Sequence, residues 1–141
     1  MPGRPSASRR TVLRGAALAP VAGLGLAACS PVGGTSAPAP PTAPVDLGAE
    51  SELPEGGAKL HRDHNVVVSR EAKGTLRAFS TICTHAQCPI NKLQGTTLVC
   101  PCHGSEFDAT TGKVVRAPAT EPLHELPVRA KGGRIVAGPE A

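Results

Sequence analysis

The sequence is nearly devoid of aromatic residues, with no Trp, no Tyr and only two Phe, Phe79 and Phe107. Glycine and proline are abundant instead, at 16 and 15 of the 141 residues. This composition favours turn-rich β structure with extended tails. The chain is also too short for two cores of full size, so the sequence predicts one domain of roughly 100–150 residues or less.

Excess positive charge is missing from most of the chain, although the formal net charge is +4. Four cations precede the first apolar stretch: Arg4, Arg9, Arg10 and Arg14. From Cys29 onward, eleven Lys and Arg residues are balanced by eleven Asp and Glu residues. A domain near neutrality lacks the basic surface that nucleic acids require, so we exclude a nucleic-acid partner.

A sustained apolar repeat of 3.6 residues, which would predict a helix, does not occur after Val45. Short β-branched or alternating runs occur there instead, and glycine-containing turn signals separate them. The runs lie at residues 65–69, 75–79, 96–99, 113–115 and 134–136. We therefore predict an all-β domain over residues 45–141, built as a small antiparallel sandwich or barrel.

The first 28 residues have the features of an export signal. Residues 8–13 contain a twin arginine, and residues 15–28 form an apolar stretch that is too short and too rich in Ala and Gly to span a bilayer comfortably. Residues 26–29 read LAAC and resemble a bacterial lipobox, in which Cys29 is acylated after cleavage. We predict a twin-arginine lipoprotein signal peptide over residues 1–28. A plain signal peptide and an uncleaved anchor are the alternatives.

Residues 29–44 contain five prolines and no hydrophobic periodicity. They predict an extended, proline-rich linker between the lipid anchor at Cys29 and the domain. The export signal carries a further implication, because the twin-arginine route transports folded proteins and is used by proteins that take up cofactors before export. It therefore predicts a cofactor in the domain.

All four cysteines beyond Cys29 and two of the five histidines lie in two short boxes. Residues 83–89 read CTHAQCP, and residues 100–105 read CPCHGS. A structural zinc site is closed by four ligands, so the six candidate ligands here exceed what one tetrahedral metal needs. A zinc-stabilised or disulfide-stabilised binding module is the alternative from a different functional class. Three histidines are interpreted as ordinary surface or packing residues: His61, His64 and His124.

Together the boxes resemble the C-T-H-x-x-C-P and C-P-C-H-G-S pattern of Rieske iron–sulfur proteins of the disulfide-containing kind. The resemblance implies a cluster-binding subdomain of two loops that holds a [2Fe–2S] cluster. In this family two thiolates hold one iron and two imidazoles hold the other, which raises the reduction potential above that of plant-type ferredoxins. By position in the boxes, the implied ligands are Cys83, His85, Cys100 and His103.

The resemblance also implies roles for neighbouring residues. Cys88 and Cys102 are surplus thiols, and because such thiols oxidise in an exported protein we predict a disulfide between them. Ser105 occupies the position whose hydroxyl donates to a bridging sulfide of the cluster. Phe107 stands where high-potential members have a Tyr that donates to a ligand sulfur. We therefore expect a lower reduction potential than in those members.

The function implied is that of an electron carrier rather than an enzyme. It would be held by its lipid anchor at the outer face of the cytoplasmic membrane of a bacterium, with a redox protein as donor and another as acceptor. One alternative is the Rieske subunit of a quinol-oxidising cytochrome bc complex. Those subunits usually have Leu-Gly where this chain has Ala86 and Gln87, and a leading Gly in a proline loop where it has Ala117. Another alternative is the small subunit of an exported molybdenum oxidase.

Overall fold

The computed structural model describes residues 37–141, so the predicted export signal and Cys29 lie outside the described residues. Within residues 37–141 no helix is long and apolar enough to cross a membrane. Two short 3-10 helices cover Glu50–Glu52 and Arg62–His64. The strands are β1 (Val45–Ala49), β2 (Ala58–His61), β3 (Val66–Arg70), β4 (Leu76–Ser80), β5 (Lys92–Gln94), β6 (Thr97–Val99), β7 (Glu106–Asp108), β8 (Val114–Arg116), β9 (Glu125–Leu126), β10 (Val128–Lys131) and β11 (Arg134–Ala137).

These strands form three antiparallel sheets. The terminal sheet has the order β1-β11-β10, the central sheet β2-β3-β4-β9, and the third sheet β5-β6-β7-β8. The third sheet is a simple meander, in which each strand pairs with the next one along the chain. The terminal sheet instead joins the first strand to the last, with Val45 opposite Ala137.

Strand β3 is buried on both of its faces. Val66, Val67 and Val68 are each 0% exposed, which accounts for the unbroken valine run in the sequence. Successive side chains of a strand point to opposite sides of the sheet. Accordingly, Val67 packs in one hydrophobic core, and Val66 and Val68 pack in another. The central sheet therefore separates two cores.

The two cores have different partners. One core joins the central sheet to the terminal sheet through Leu47, Ile135 and Ala137. The other contains Phe79 and Phe107, the only two phenylalanines of the chain, together with Cys83 and Cys100 of the two Cys/His boxes. The predicted metal-binding loops thus rest on the core between the central sheet and the meander.

The predicted all-β fold is confirmed, and the five predicted runs lie on β3, β4, β6, β8 and β11. The strands that the sequence did not predict are short or of mixed composition, such as β5 (KLQ) and β9 (EL). Their extended conformation follows from pairing with β6 and β4, since strand propensity depends strongly on neighbouring strands. Strand β1 begins at Val45, the predicted start of the domain, and residues 39–44 lie against the domain surface before it.

Gly112 occupies a position without room for a side chain. Its φ is +73°, and a Cβ there would lie 2.6 and 2.7 Å from two ring carbons of Phe79. We predict that Gly112→Ala lowers the free energy of unfolding by about 2–5 kcal/mol, the sum of overpacking and a left-handed backbone. Gly95→Ala is the matched control, because Gly95 has a φ of +59° and open space around it.

Denaturant unfolding followed by circular dichroism measures both losses. Gly95→Ala is expected to lose only the conformational part, about 1–2 kcal/mol. Equal losses in the two variants would contradict the role assigned to the Phe79 contact.

Candidate metal centre

The first box forms a tight loop between β4 and β5, which we name loop 1 (residues 83–89). The N–H of Cys83 donates to the C=O of Cys88 at 2.8 Å, and the N–H of Gln87 donates back to the C=O of Cys83 at 2.9 Å. A bridge between Ile82 and Pro89 closes the base of the loop. These bonds hold the loop's backbone independently of any metal.

The second box forms loop 2 (residues 100–105) between β6 and β7, and its backbone repeats the pattern of loop 1. The N–H of Cys100 donates to the C=O of Ser105 at 2.9 Å, and the N–H of Gly104 donates to the C=O of Cys100 at 3.1 Å. In both loops a cysteine is bonded to the residues four and five positions after it. Gly104 and Gln87 are therefore equivalent, and both have a positive φ, +75° and +57°.

The structure brings the four predicted ligands together as two pairs. Cys83 and Cys100 are free thiols that are only 1% and 2% exposed. His85 and His103 are exposed, and their ring centroids lie 4.8 Å apart with the rings perpendicular. Each loop thus supplies one buried sulfur and one exposed imidazole. Within the described residues, no group of three or more His, Cys, Asp or Glu side chains is placed to hold a single metal ion.

The environment of the buried Cys100 thiol disfavours a free thiolate. Burial raises the pKa of the Cys100 thiol, and the neighbouring Cys83 thiol raises it further. The backbone N–H groups of Cys102 and His103 act in the opposite direction by donating to the Cys100 sulfur. A metal supplies positive charge and binds the deprotonated form, so this pair of sulfurs is suited to metal ligation.

A disulfide joins the two loops beside the thiol pair. Cys88 of loop 1 is bonded to Cys102 of loop 2, with a sequence separation of 14 and a Cα–Cα distance of 6.6 Å. Cys88 is half-buried and Cys102 is exposed. The surplus cysteines are therefore used to hold together the two loops that carry the predicted ligands.

A segment between β8 and β9, residues 117–124, crosses both loops, and we name it the strap. The backbone N–H of Ala119 donates to the Oγ of Ser105 at 3.0 Å, which attaches the strap to loop 2. The hydroxyl of Thr84 donates to the C=O of Glu121 at 2.7 Å, which attaches it to loop 1. The sequence did not predict this role for Thr84, although Thr84 stands inside the first box. The strap includes the residues that resemble the family's proline loop.

Ser105 and Phe107, the two residues with predicted roles beside the cluster, are both buried. Ser105 is fully buried, and accepting a bond from Ala119 leaves its hydroxyl proton available for another acceptor. Phe107 is fully buried in the same core as Cys83 and Cys100, and it brings no hydroxyl to them. The predicted hydrogen-bond donor is present at residue 105, while residue 107 adds only apolar surface.

Comparison with known protein families identifies this arrangement of two Cys/His loops. A family model described as the Rieske [2Fe–2S] domain matches residues 43–127, which is more than half of the chain. The chain belongs to the Rieske [2Fe–2S] domain family. A Rieske domain binds a [2Fe–2S] cluster and acts as an electron carrier. The family assignment confirms the resemblance and replaces the alternative of a zinc-stabilised or disulfide-stabilised binding module.

Two curated relatives illustrate the range of Rieske proteins that this chain is similar to. The cytochrome b6-f complex iron–sulfur subunit of Chlorobaculum tepidum is 33% identical over 93 residues, which are 64% of this chain and 50% of that subunit. The ferredoxin component of the naphthalene 1,2-dioxygenase system of Pseudomonas aeruginosa is 30% identical over 95 residues, which are 65% of this chain and 91% of that ferredoxin. The chain therefore spans about half the length of the Chlorobaculum subunit and nearly all of the ferredoxin.

A solved structure supports the same fold. In the complex of reduced oxygenase and oxidized ferredoxin of carbazole 1,9a-dioxygenase, the matching chain is 25% identical with a TM-score of 0.50, and the match covers 67% of this chain and 92% of that one.

The residues present in this chain fit a [2Fe–2S] cluster. A Rieske cluster needs two thiolates and two imidazoles, and loops 1 and 2 bring the two free thiols close to each other and the two imidazoles close to each other. Ser105 adds a buried hydroxyl with an available proton. The fit rests on the side chains of this structure and not on the family name alone.

Gln87 is strained relative to its counterpart Gly104, because a non-glycine residue with a left-handed backbone costs about 1–2 kcal/mol. We predict that Gln87→Gly raises the free energy of unfolding by roughly 0.5–1 kcal/mol, since part of the relief is offset by the greater freedom of Gly in the unfolded chain. Thermal unfolding of the two proteins measures the difference. Gln94→Gly is the control, because exposed Gln94 lies in a regular strand where Gly should destabilise. A loss of stability in both variants would argue against strain at residue 87.

Proposed function

We propose that this protein is a Rieske electron carrier anchored by lipid at the outer face of the cytoplasmic membrane, where it transfers electrons between two redox proteins. In this proposal Cys83, His85, Cys100 and His103 hold the cluster. When bound, the cluster accepts and returns one electron at a time. The anchor at Cys29 and the linker of residues 29–44 would keep the domain within reach of membrane-bound partners.

The main support for this proposal is the difference in solvent exposure between the two pairs of proposed ligands. Cys83 and Cys100 are buried, whereas His85 and His103 are exposed. Core side chains thus exclude water from the thiol side, and a partner protein meets the imidazole side. Electrons would enter and leave through this exposed side.

The surface around the imidazoles is compatible with docking of another protein. Ala86, Gln87 and Pro101 flank the two histidines, are exposed and carry no charge. Uncharged contact surfaces with modest apolar character are common at the centre of transient protein interfaces. The partners proposed are therefore redox proteins that present their own cofactor to this face.

A second candidate function is a subunit of a cytochrome bc-type complex. The similarity to an iron–sulfur subunit of a cytochrome b6-f complex favours it. Ala86 and Gln87 stand against it, because they replace the Leu-Gly usual in quinol-oxidising relatives. Isolation of the native protein in mild detergent distinguishes the two: co-purification with a b-type cytochrome would support the complex, and isolation without one supports the free carrier.

The ligand assignment is tested by single substitutions. We predict that Cys83→Ser, Cys100→Ser, His85→Ala and His103→Ala each lose the EPR signal of the reduced [2Fe–2S] cluster, because each removes one of the four protein ligands. Low-temperature EPR of the dithionite-reduced protein measures the signal. His124→Ala is the control, since His124 is exposed and outside both loops, and it should keep the full signal. A full signal in any of the four variants would remove that residue from the ligand set.

The membrane anchor is tested separately. We predict that Cys29→Ser moves the protein out of the membrane fraction or blocks its processing, because acylation at Cys29 is the proposed source of stable attachment. Cell fractionation with immunodetection measures the distribution, and Ser30→Ala is the neighbouring control. Unchanged processing and membrane association in Cys29→Ser would rule out the acylated anchor.

A further inference from the structure

A buried hydroxyl without a partner lies two residues before the first Cys/His box. Thr81 is 0% exposed, and its Oγ1 makes no hydrogen bond. Within residues 37–141 the only other buried hydroxyl without a partner is that of Ser69. Most buried polar side-chain atoms are hydrogen-bonded, because an unpaired one loses its bonds to water and gains none in return. An unpaired hydroxyl this close to a proposed metal ligand therefore requires an explanation.

Backbone pairing places the Thr81 side chain on the same face as the Cys83 thiol. The residue between them, Ile82, forms an antiparallel bridge with Pro89. The N–H of Ile90 donates to the C=O of Thr81 at 2.7 Å, which continues the pairing. Residues two apart in an extended chain point to the same side. Thr81 therefore faces the core that contains both Ile90 and Cys83.

No other free hydroxyl in this part of the core comes from the loop 1 side. The hydroxyl of Thr84, within loop 1, is already donated to the C=O of Glu121 in the strap. Ser105 belongs to loop 2, and Phe107 brings no hydroxyl to the ligand sulfurs. A dipole in an apolar, low-dielectric core acts strongly on a charge near it. The Thr81 hydroxyl is therefore placed to act on charge at the proposed ligand that follows it.

We propose that the Thr81 hydroxyl turns its positive end towards the sulfur of Cys83 when that sulfur is a cluster ligand, and so raises the reduction potential. The hydrogen of a hydroxyl can rotate to suit its surroundings. Reduction adds negative charge to the cluster and its sulfurs, and the O–H dipole stabilises that charge. The proposal rests on Cys83 as a ligand, which the EPR experiment on Cys83→Ser tests separately.

Thr81→Val tests the proposal, because valine has nearly the same shape as threonine but no hydroxyl. Voltammetry of the cluster-loaded, full-length protein measures the reduction potential. We expect the ratio of reduced to oxidised protein at a fixed electrode potential to fall about two- to tenfold, as for loss of one neutral hydrogen bond. For one electron this is a decrease of about 20–60 mV in the reduction potential. A full EPR signal in the same variant shows that the cluster is intact.

A second pair of variants differs by the hydroxyl alone. Thr81→Ser keeps the hydroxyl and should keep the potential of the unaltered protein, whereas Thr81→Ala removes it and should match Thr81→Val. This pair separates the hydroxyl from the methyl group, and it decides the question even if Thr81→Val takes up no cluster.

Ser69→Ala is the control for loss of an unpaired, buried hydroxyl elsewhere. The C=O of Asn65 accepts the N–H of Thr81, and Ser69 lies four residues further along the chain, in β3. At about 3.3 Å per residue, Ser69 is roughly 13 Å from the level of Thr81. Its removal should leave the potential unchanged.

Two results would overturn the proposal. One is a potential equal to that of the unaltered protein in both Thr81→Val and Thr81→Ala. The other is an equal fall in Thr81→Ser or in Ser69→Ala, which would show that the potential responds to packing and not to this hydroxyl. Neither result bears on the ligand set, which is contradicted only by a full EPR signal in a ligand variant.

Discussion

The burial of two thiols, those of Cys83 and Cys100, is the constraint on which the rest of the domain depends. Both lie in the core with Phe79, Leu98 and Phe107, so the two proposed sulfur ligands are part of the hydrophobic core and are not attached to its surface. Desolvation makes an isolated thiolate costly in such a place, and a bound metal offsets that cost. In the proposed site, packing on one side of the central sheet and metal binding would therefore be coupled.

Three kinds of bond hold the two loops in place around the buried thiols. Each loop closes on itself through the same pair of backbone hydrogen bonds, the disulfide joins Cys88 to Cys102, and the strap is bonded to Thr84 and Ser105. A site whose ligands are fixed by surrounding bonds needs little rearrangement when its charge changes. In an electron carrier, a small rearrangement on oxidation and reduction allows rapid electron transfer with more than one partner.

Most of what could be predicted came from patterns of a few consecutive residues. The valine run of β3 and the spacing of Cys and His in the two boxes are visible in a few consecutive residues, and they predicted the fold class and the family. The bond from Thr84 to Glu121 joins residues 37 positions apart, and no local pattern marks it. The left-handed backbone of Gln87 could not be predicted from local pattern either, because it is imposed by closure of the loop and is unfavourable for glutamine itself.

The pairing of β1 with β11 has a consequence for how the protein is made. Leu47 completes its core only when Ile135 and Ala137 are in place, and that core covers one face of β3. The other face of β3 supports the core that contains both thiols. Contacts between distant parts of a chain form late, because the loop between them must close first. The core between the central and terminal sheets can therefore be completed only after residue 137 has been synthesised, so the first strand of the domain waits for the last one.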